Sequence, residues 1–266
     1  MPVQFSSPSP NFVLSLEGAV ATIAIHNPAK RNAIGLEMWK ALPRIAATLE
    51  EDERVRVIVL RGAGTGAFTS GADISEFETV RADAAGGRRY EAANEAAFQA
   101  VAHCAKPVIA MIRGFCLGGG FGLALACDLR VASENATFGI PAAKLGVGYP
   151  PGAMRLVTAA VGGPAARDLF YTARRIGAAE AERLGVVQRV VPDRELEGAA
   201  MALAQEIAGN APLTIRAAKA AIDEALGIAH PGSDPVALAD ACFDSADAVE
   251  GRRAFLEKRA PVFTGH

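Results

Sequence analysis

Two short runs, "VRVIVLRG" (55–62) and "PVIAMIRG" (107–114), are almost continuously apolar, and each ends in glycine. A strand with one wet face alternates apolar and polar residues; one that does not alternate must be covered on both faces, as in a parallel sheet flanked by helices. Helical periodicity precedes both runs. Over 36–49, Met38, Leu42, Ile45 and Leu49 share one apolar face, and "YEAANEAAFQAVAHC" (90–104) leads into the second run. The spacing predicts an α/β chain.

Other segments extend this pattern. "NFVLSLEGAVATIAIHNP" contains two β-rich runs around Glu17-Gly18, a hairpin signal. "LRVASENATFGI" reads as two short strands, followed by the Gly/Pro-rich loop "GVGYPPGAM". Helices are expected over 178–184, 195–208, 213–226 and 246–258, with "HPGSDP" separating the third from the last. The change from alternating strands to helices near Pro164 predicts a sheet-containing core over 1–195 and a C-terminal helical region over 196–266.

Charge is nearly balanced, 27 Lys+Arg against 29 Asp+Glu in 266 residues, so no electrostatic footprint for nucleic acid or an anionic membrane is present. The N-terminal "MPVQFSSPSP" lacks the basic and apolar regions of a signal peptide, and no later stretch is apolar for the length of a membrane span. A soluble cytoplasmic protein is the expectation. Cys104, Cys116, Cys127 and Cys242 have no metal-binding spacing and read as buried free thiols; no metal or redox cofactor is indicated.

Two glycine-rich loops carry the chemistry. In "GTGAFTSGADISEF" the chain turns from a strand toward a helix start, with Asp73 as N-cap and Glu76 three residues on. In "GGGFGLALACD", Gly118, Gly119 and Gly120 stand between a strand and a helix, and Gly122 sits in that helix's first turn. Missing β-carbons let a ligand approach the backbone, and a helix N-terminus adds about half a positive charge. Backbone N–H groups converging from both loops would stabilise one developing oxyanion. Neither loop has the spacing of a dinucleotide- or phosphate-binding motif.

Along its length the chain resembles the enoyl-CoA hydratase/isomerase, or crotonase, superfamily. The motifs are "NPAKRNAI", "AFTSGADI", "KPVIAMIRGFCLGGGFGLALACDLRVASENATFGIPAAKLGVG", "GVVQRVVP" and "EGRRAFLEKRAPVF". The resemblance implies a spiral of repeated ββα units with a C-terminal helical region involved in oligomerisation, and a homotrimer or homohexamer. It implies an acyl-CoA thioester substrate, with CoA present only as part of that substrate. Matched by motif, the oxyanion donors are the N–H groups of Ser70 and Gly119. Lys30, Arg31, Gly71, Ala72, Asp73 and Gly118 fall on the CoA- and thioester-binding turns. Phe255 and Lys258 match positions that reach the adenine end from a neighbouring subunit.

The resemblance has a gap. Hydratases of this family carry two glutamates that hold and split water, and the matching positions here are Gly122 and Ala142, which exchange no proton. Gly122 is expected to leave space for a ligand or neighbouring element, or to pack against a facing strand. Hydration by the paired-glutamate route is disfavoured, which leaves lyase or isomerase chemistry on a thioester enolate. Tyr149, in "LGVGYPPG", is similar to a tyrosine of methylmalonyl-CoA decarboxylases, although their histidine is replaced by Ala72. One alternative is such a decarboxylase using Tyr149; another is a non-catalytic acyl-CoA-binding protein. His26, His103 and Asp128 read as structural.

Overall fold

A computed structural model describes residues 2–266. The chain begins with β1 (Val3–Gln4) and the hairpin β2 (Phe12–Glu17) and β3 (Val20–Ile25), whose two-residue turn places Gly18 at φ 59°. Helix α1 (Leu36–Glu51) leads to β4 (Val57–Gly62), and the short α2 (Phe77–Val80) and long α3 (Ala84–Ala102) lead to β5 (Val108–Ile112). Next come β6 (Phe115–Leu117), α4 (Gly119–Ala126), β7 (Leu129–Ser133), β8 (Thr137–Gly139) and α5 (Ala142–Leu145). The remainder is α6 (Pro151–Thr172), β9 (Arg175–Gly177), α7 (Ala178–Arg183), β10 (Arg189–Val191), α8 (Leu196–Ala208), α9 (Pro212–Ala225), α10 (Pro235–Phe243) and α11 (Ala246–Glu257).

Seven strands form the main sheet in the order β1-β2-β3-β4-β5-β7-β10. The first two pairings are antiparallel and the rest parallel. A second sheet, β6-β8-β9, stands beside it. The apolar run of β4 divides as the pleat requires. Ile58 and Leu60 join the core under α1 and α3, while Val57 and Val59 face Leu196, Ala200, Leu203 and Ala204 of α8. Each large aliphatic side chain taken fully out of water there contributes about 1.5–3 kcal/mol. Helix α8 therefore shares a core with the sheet, and α9 to α11 follow it.

Several elements differ from expectation. The chain is already helical at 151, well before Pro164, and a break at Gly162 (φ 74°) lets α6 accommodate that proline. Strands β9 and β10 come after it, so the sheets are not complete at Pro164. The end of "HPGSDP" and the residues after it form α10, capped where Asp234 Oδ1 accepts from the Ala237 N–H at 3.0 Å. The proposed capping box at Asp73 is only half formed. Asp73 accepts from the Ser75 N–H at 3.1 Å, but Glu76 reaches across the fold and accepts from the Leu36 N–H at 2.8 Å, capping α1.

The four cysteines are free, three of them buried and Cys242 partly so. Burial pushes the Cys104 thiol up to about 11. Asp128 accepts from the Val108 N–H at 2.7 Å and pairs with Lys219 at 2.9 Å, and a His103 ring nitrogen lies 3.0 Å from the Ile228 carbonyl. No helix among the described residues is long and apolar enough to cross a membrane.

Candidate active site

The two glycine-rich loops meet. Thr69 donates from its N–H to the Phe115 carbonyl at 3.0 Å and accepts from the Leu117 N–H at 3.2 Å. Gly71 then crosses β6 closely: its φ is +99°, and a β-carbon there would fall 2.6 Å from the Leu117 carbonyl oxygen. Both facts demand glycine. Gly118, at φ 54°, turns the chain into α4. The turns around Ala72 and Gly119 consequently border one cavity of about 80 Å³, with Phe77, Pro141, Ala142 and Tyr149 among its walls.

The N–H groups on this cavity are not equivalent. Ser70, the expected first donor, gives its N–H to the Arg31 carbonyl at 3.0 Å, so that hydrogen is already engaged. Gly71 gives its own to Thr69 Oγ1 at 3.0 Å. On either side of Ala72, the Gly71 carbonyl and the Asp73 N–H bond to Ile34, and the Ala72 N–H has no acceptor in the protein. The Gly119 N–H, at the first turn of α4, also has none. The free amide of this loop is therefore at Ala72 and not at Ser70: the bridge to Ile34 takes the Gly71 carbonyl and the Asp73 N–H, Thr69 Oγ1 takes the Gly71 N–H, and the Ala72 N–H is left over.

Polar side chains unnoticed in the sequence also line the cavity. Arg81 lies over the rings of Phe77 and Tyr90, 4.5 and 4.6 Å from their centroids, and is ion-paired with Glu91. Burial lowers the Arg81 pKa. Tyr90 accepts from the Trp39 indole at 2.9 Å and donates to the Ile34 carbonyl at 3.3 Å, tying α1 and α3 to the Ala72 turn. Burial pushes its hydroxyl up to about 12. Asn94 completes this wall. A polar residue interrupting the apolar stripe Tyr90, Phe98, Val101 was a readable signal for Asn94; nothing local joins Arg81 to Glu91.

A family model for enoyl-CoA hydratase/isomerase matches residues 15–266. The chain belongs to the enoyl-CoA hydratase/isomerase family. It is 35% identical over 255 residues to the short-chain-enoyl-CoA hydratase of Clostridium acetobutylicum, covering 94% of this chain and 95% of the relative. It is 34% identical over 255 residues to a crotonyl-CoA hydratase of Syntrophomonas wolfei, covering 95% and 97%. Its fold matches the crystal structure of an enoyl-CoA hydratase/carnithine racemase from Magnetospirillum magneticum with a TM-score of 0.91. That match has 37% identity and covers 98% of this chain and 97% of the other. The α/β architecture with a parallel-rich sheet is the crotonase fold.

Within this enoyl-CoA hydratase/isomerase family member, Gly122 and Ala142, the two positions expected to match hydratase glutamates, have different surroundings. Ala142, buried at the start of α5, lines the cavity. Gly122 does not: a β-carbon on it would lie 2.7 Å from Cζ of Phe98, which is fully buried. Of the expected alternatives, a neighbouring element approaches Gly122: the ring of Phe98 on α3 takes the place, and neither ligand space nor a facing strand is found there.

The residues matched to CoA contacts are more dispersed. Lys30 pairs with Asp73 Oδ2 at 2.6 Å and donates to Ser75 Oγ at 2.9 Å. Burial pushes the Asp73 pKa up, but the Lys30 and Ser75 hydrogen bonds outweigh it and hold the carboxyl below its ordinary value. The Arg31 guanidinium lies 5.7 Å from the Phe115 ring centroid. Phe255 is 84% exposed on α11, and Lys258 ends that helix in a left-handed conformation; neither lines the cavity. Tyr149 stacks edge-on to Phe170 at 5.0 Å, its hydroxyl without a hydrogen-bond partner, and burial raises its pKa.

Proposed function

We propose that this family member is an acyl-CoA enzyme that binds the thioester oxygen between the N–H groups of Ala72 and Gly119 and stabilises an enolate there. The observation that carries this reading is that these two amides, on one cavity, lack protein acceptors. Charge that develops on the oxygen is met by fixed donors and the N-terminus of α4, and removing one such donor typically costs 10²–10³ in rate. Lys30, Arg31 and Asp73 lie beside the Ala72 turn and would serve the CoA portion, and the exposed Phe255 and Lys258 suit contact from a neighbouring copy in a trimer or hexamer.

The chemistry fits a lyase or isomerase step better than paired-carboxylate hydration, with the difference that double-bond migration still needs one group to take and return a proton, whereas a lyase step that forms the enolate by breaking a carbon–carbon bond does not. Adding water across a double bond takes a base and an acid, which hydratases supply with two carboxylates. Here Phe98 fills the space at Gly122, Ala142 is apolar, and Glu91, the only carboxylate lining the cavity among the described residues, is held by Arg81. Decarboxylation is a second reading, favoured by the unpartnered Tyr149 hydroxyl: kept protonated, it could orient a carboxylate whose loss as CO₂ leaves the enolate.

The test is mass-spectrometric turnover of the purified protein on 2-enoyl, 3-enoyl, 3-hydroxyacyl, malonyl and methylmalonyl CoA esters, with binding recorded in parallel. Double-bond migration or CO₂ loss supports the proposal, and loss of the CO₂ reaction in Tyr149→Phe supports the second reading. Hydration of the 2-enoyl ester by the unmodified protein overturns the argument from Gly122 and Ala142. Tight binding without product would make the chain a non-catalytic acyl-CoA-binding protein.

A further inference from the structure

Along α3, Tyr90, Asn94, Phe98 and Val101 recur at helical spacing, and all are buried. Three bring rings or aliphatic carbon to the core. Asn94 brings an amide, although its residue is only 5% exposed. That amide makes no hydrogen bond within the protein, and it is not sealed in, since no fully occluded side-chain nitrogen or oxygen is left unpaired among the described residues. The opening it reaches is the cavity beside Gly119: the side-chain nitrogen lies 3.3 Å from where a Gly119 β-carbon would stand. Water can reach this amide in the open cavity, but a ligand that fills the cavity excludes that water, and the amide then loses free energy unless a ligand oxygen is placed against it.

We propose that Asn94 is a specificity-determining residue whose amide hydrogen-bonds an oxygen on the acyl chain within two carbons of the thioester carbonyl. This inference rests on the acyl-CoA reading of the site. Gly119 supplies an N–H for the carbonyl oxygen, so a group beside Gly119 meets the first acyl carbons rather than the far end of a chain. The substituent that meets Asn94 is neutral, a hydroxyl or a carbonyl, because the cavity's cation, Arg81, is already paired with Glu91 and offers no uncompensated charge there; the carboxylate of the decarboxylation reading would fall to Tyr149 instead. An amide suits such a group, since it donates from nitrogen or accepts on oxygen by turning over. A plain hydrocarbon chain leaves the amide unpaired, and sites built around a hydrogen bond discriminate strongly against analogues that lack it.

Equilibrium binding of butyryl-CoA, 2-hydroxybutyryl-CoA and 3-hydroxybutyryl-CoA to the intact protein and to Asn94→Leu, by titration calorimetry, tests this. The unmodified protein should bind at least one hydroxy ester about tenfold or more tightly over butyryl-CoA. Asn94→Leu should reduce that preference to within about twofold while binding butyryl-CoA as well or better. Asn94→Ala, with a circular dichroism melt, keeps the test open if the leucine variant does not fold. A preference retained in the variants, a uniform loss for all three esters, or no preference in the unmodified protein overturns the assignment. If no ester binds the unmodified protein, the acyl-CoA reading fails, and this inference fails with it.

Discussion

The ring of Phe98 occupies the volume into which any side chain at Gly122 would grow, with Cζ 2.7 Å from the position of a Gly122 β-carbon. Phe98 is itself held edge-on by Trp39, with ring centroids 5.8 Å apart, so it has little freedom to retreat. Gly122→Ala should therefore destabilise the fold by about 1–3 kcal/mol through overpacking, offset by up to about 1 kcal/mol of helix propensity. Urea denaturation measures this. In the double variant with Phe98→Ala the two costs should be less than additive, because the ring that obstructs the new methyl is gone. Strict additivity would show that the two positions do not compete for space.

Gly71 holds the Ala72 amide where it is. Gly71→Ala introduces a β-carbon 2.6 Å from the Leu117 carbonyl oxygen at a backbone angle of +99°, which an L side chain rarely adopts. Turnover of the ester identified in the substrate panel should fall by about 10²–10³, the usual cost of one lost oxyanion donor. Ser70→Ala is the control. Its hydroxyl donates only to the Lys30 carbonyl, at 3.1 Å, and its N–H is retained for Arg31, so kcat should change little. A large loss of kcat in Ser70→Ala would show that the Ser70 hydroxyl, and not only the backbone amides around Ala72, serves the reaction.

The Lys30–Asp73 pair gives the Ala72 turn an acid limit. Asp73 titrates below its ordinary value of 3.8 because the hydrogen bonds from Lys30 and Ser75 outweigh the opposing effect of burial. A depressed carboxyl stabilises the fold above its unfolded pKa, and that stabilisation is lost as pH falls below 3.8 through the folded value. Thermal melts from pH 3 to 7 should show Asp73→Asn less stable than the parent above pH 4, with the gap closing below it. A constant gap would mean that the charge on Asp73 is not what matters.

Asp223 on α9 has the opposite sign. Burial pushes its pKa up to about 6, against a smaller lowering from Lys219 and a further raising from Asp128. The folded state then holds a proton that the unfolded chain releases near 3.8, so this group's contribution to stability declines as pH rises from about 4 to 6 and is constant beyond. Asp223→Asn should remove the decline, making the variant's advantage over the parent grow across that interval and level off above it. Melts at pH 4, 5, 6 and 8 decide the matter. An advantage that shrinks with rising pH would contradict the sign.

Much of the architecture was legible because its signals are local. The turn at Gly18, the paired faces of β4, the apolar stripe of α1 and the glycines at 71 and 118 each follow from periodicity or from a backbone angle that few residues adopt. Helix α6 was not legible, because Gly162 and Pro164 look like an end and prove to be an internal break. Helix α10 was missed because its start lies inside a Pro/Gly-rich loop.

The amino-acid sequence by itself determined that this is an α/β chain of the enoyl-CoA hydratase/isomerase family, and that positions 122 and 142 carry no side chain able to exchange a proton. Tertiary structure decided what those residues meet. Whether an amide is free depends on every acceptor the fold brings near it, and an Arg31 carbonyl consumes the Ser70 N–H while the neighbouring bridge leaves that of Ala72 unpaired. Likewise Glu76 caps a helix forty residues away, Phe98 closes the space at Gly122, and Arg81, Glu91 and Asn94 face one cavity. Spacing along a chain carries helix and strand periods; it carries no record of distance between elements until they pack.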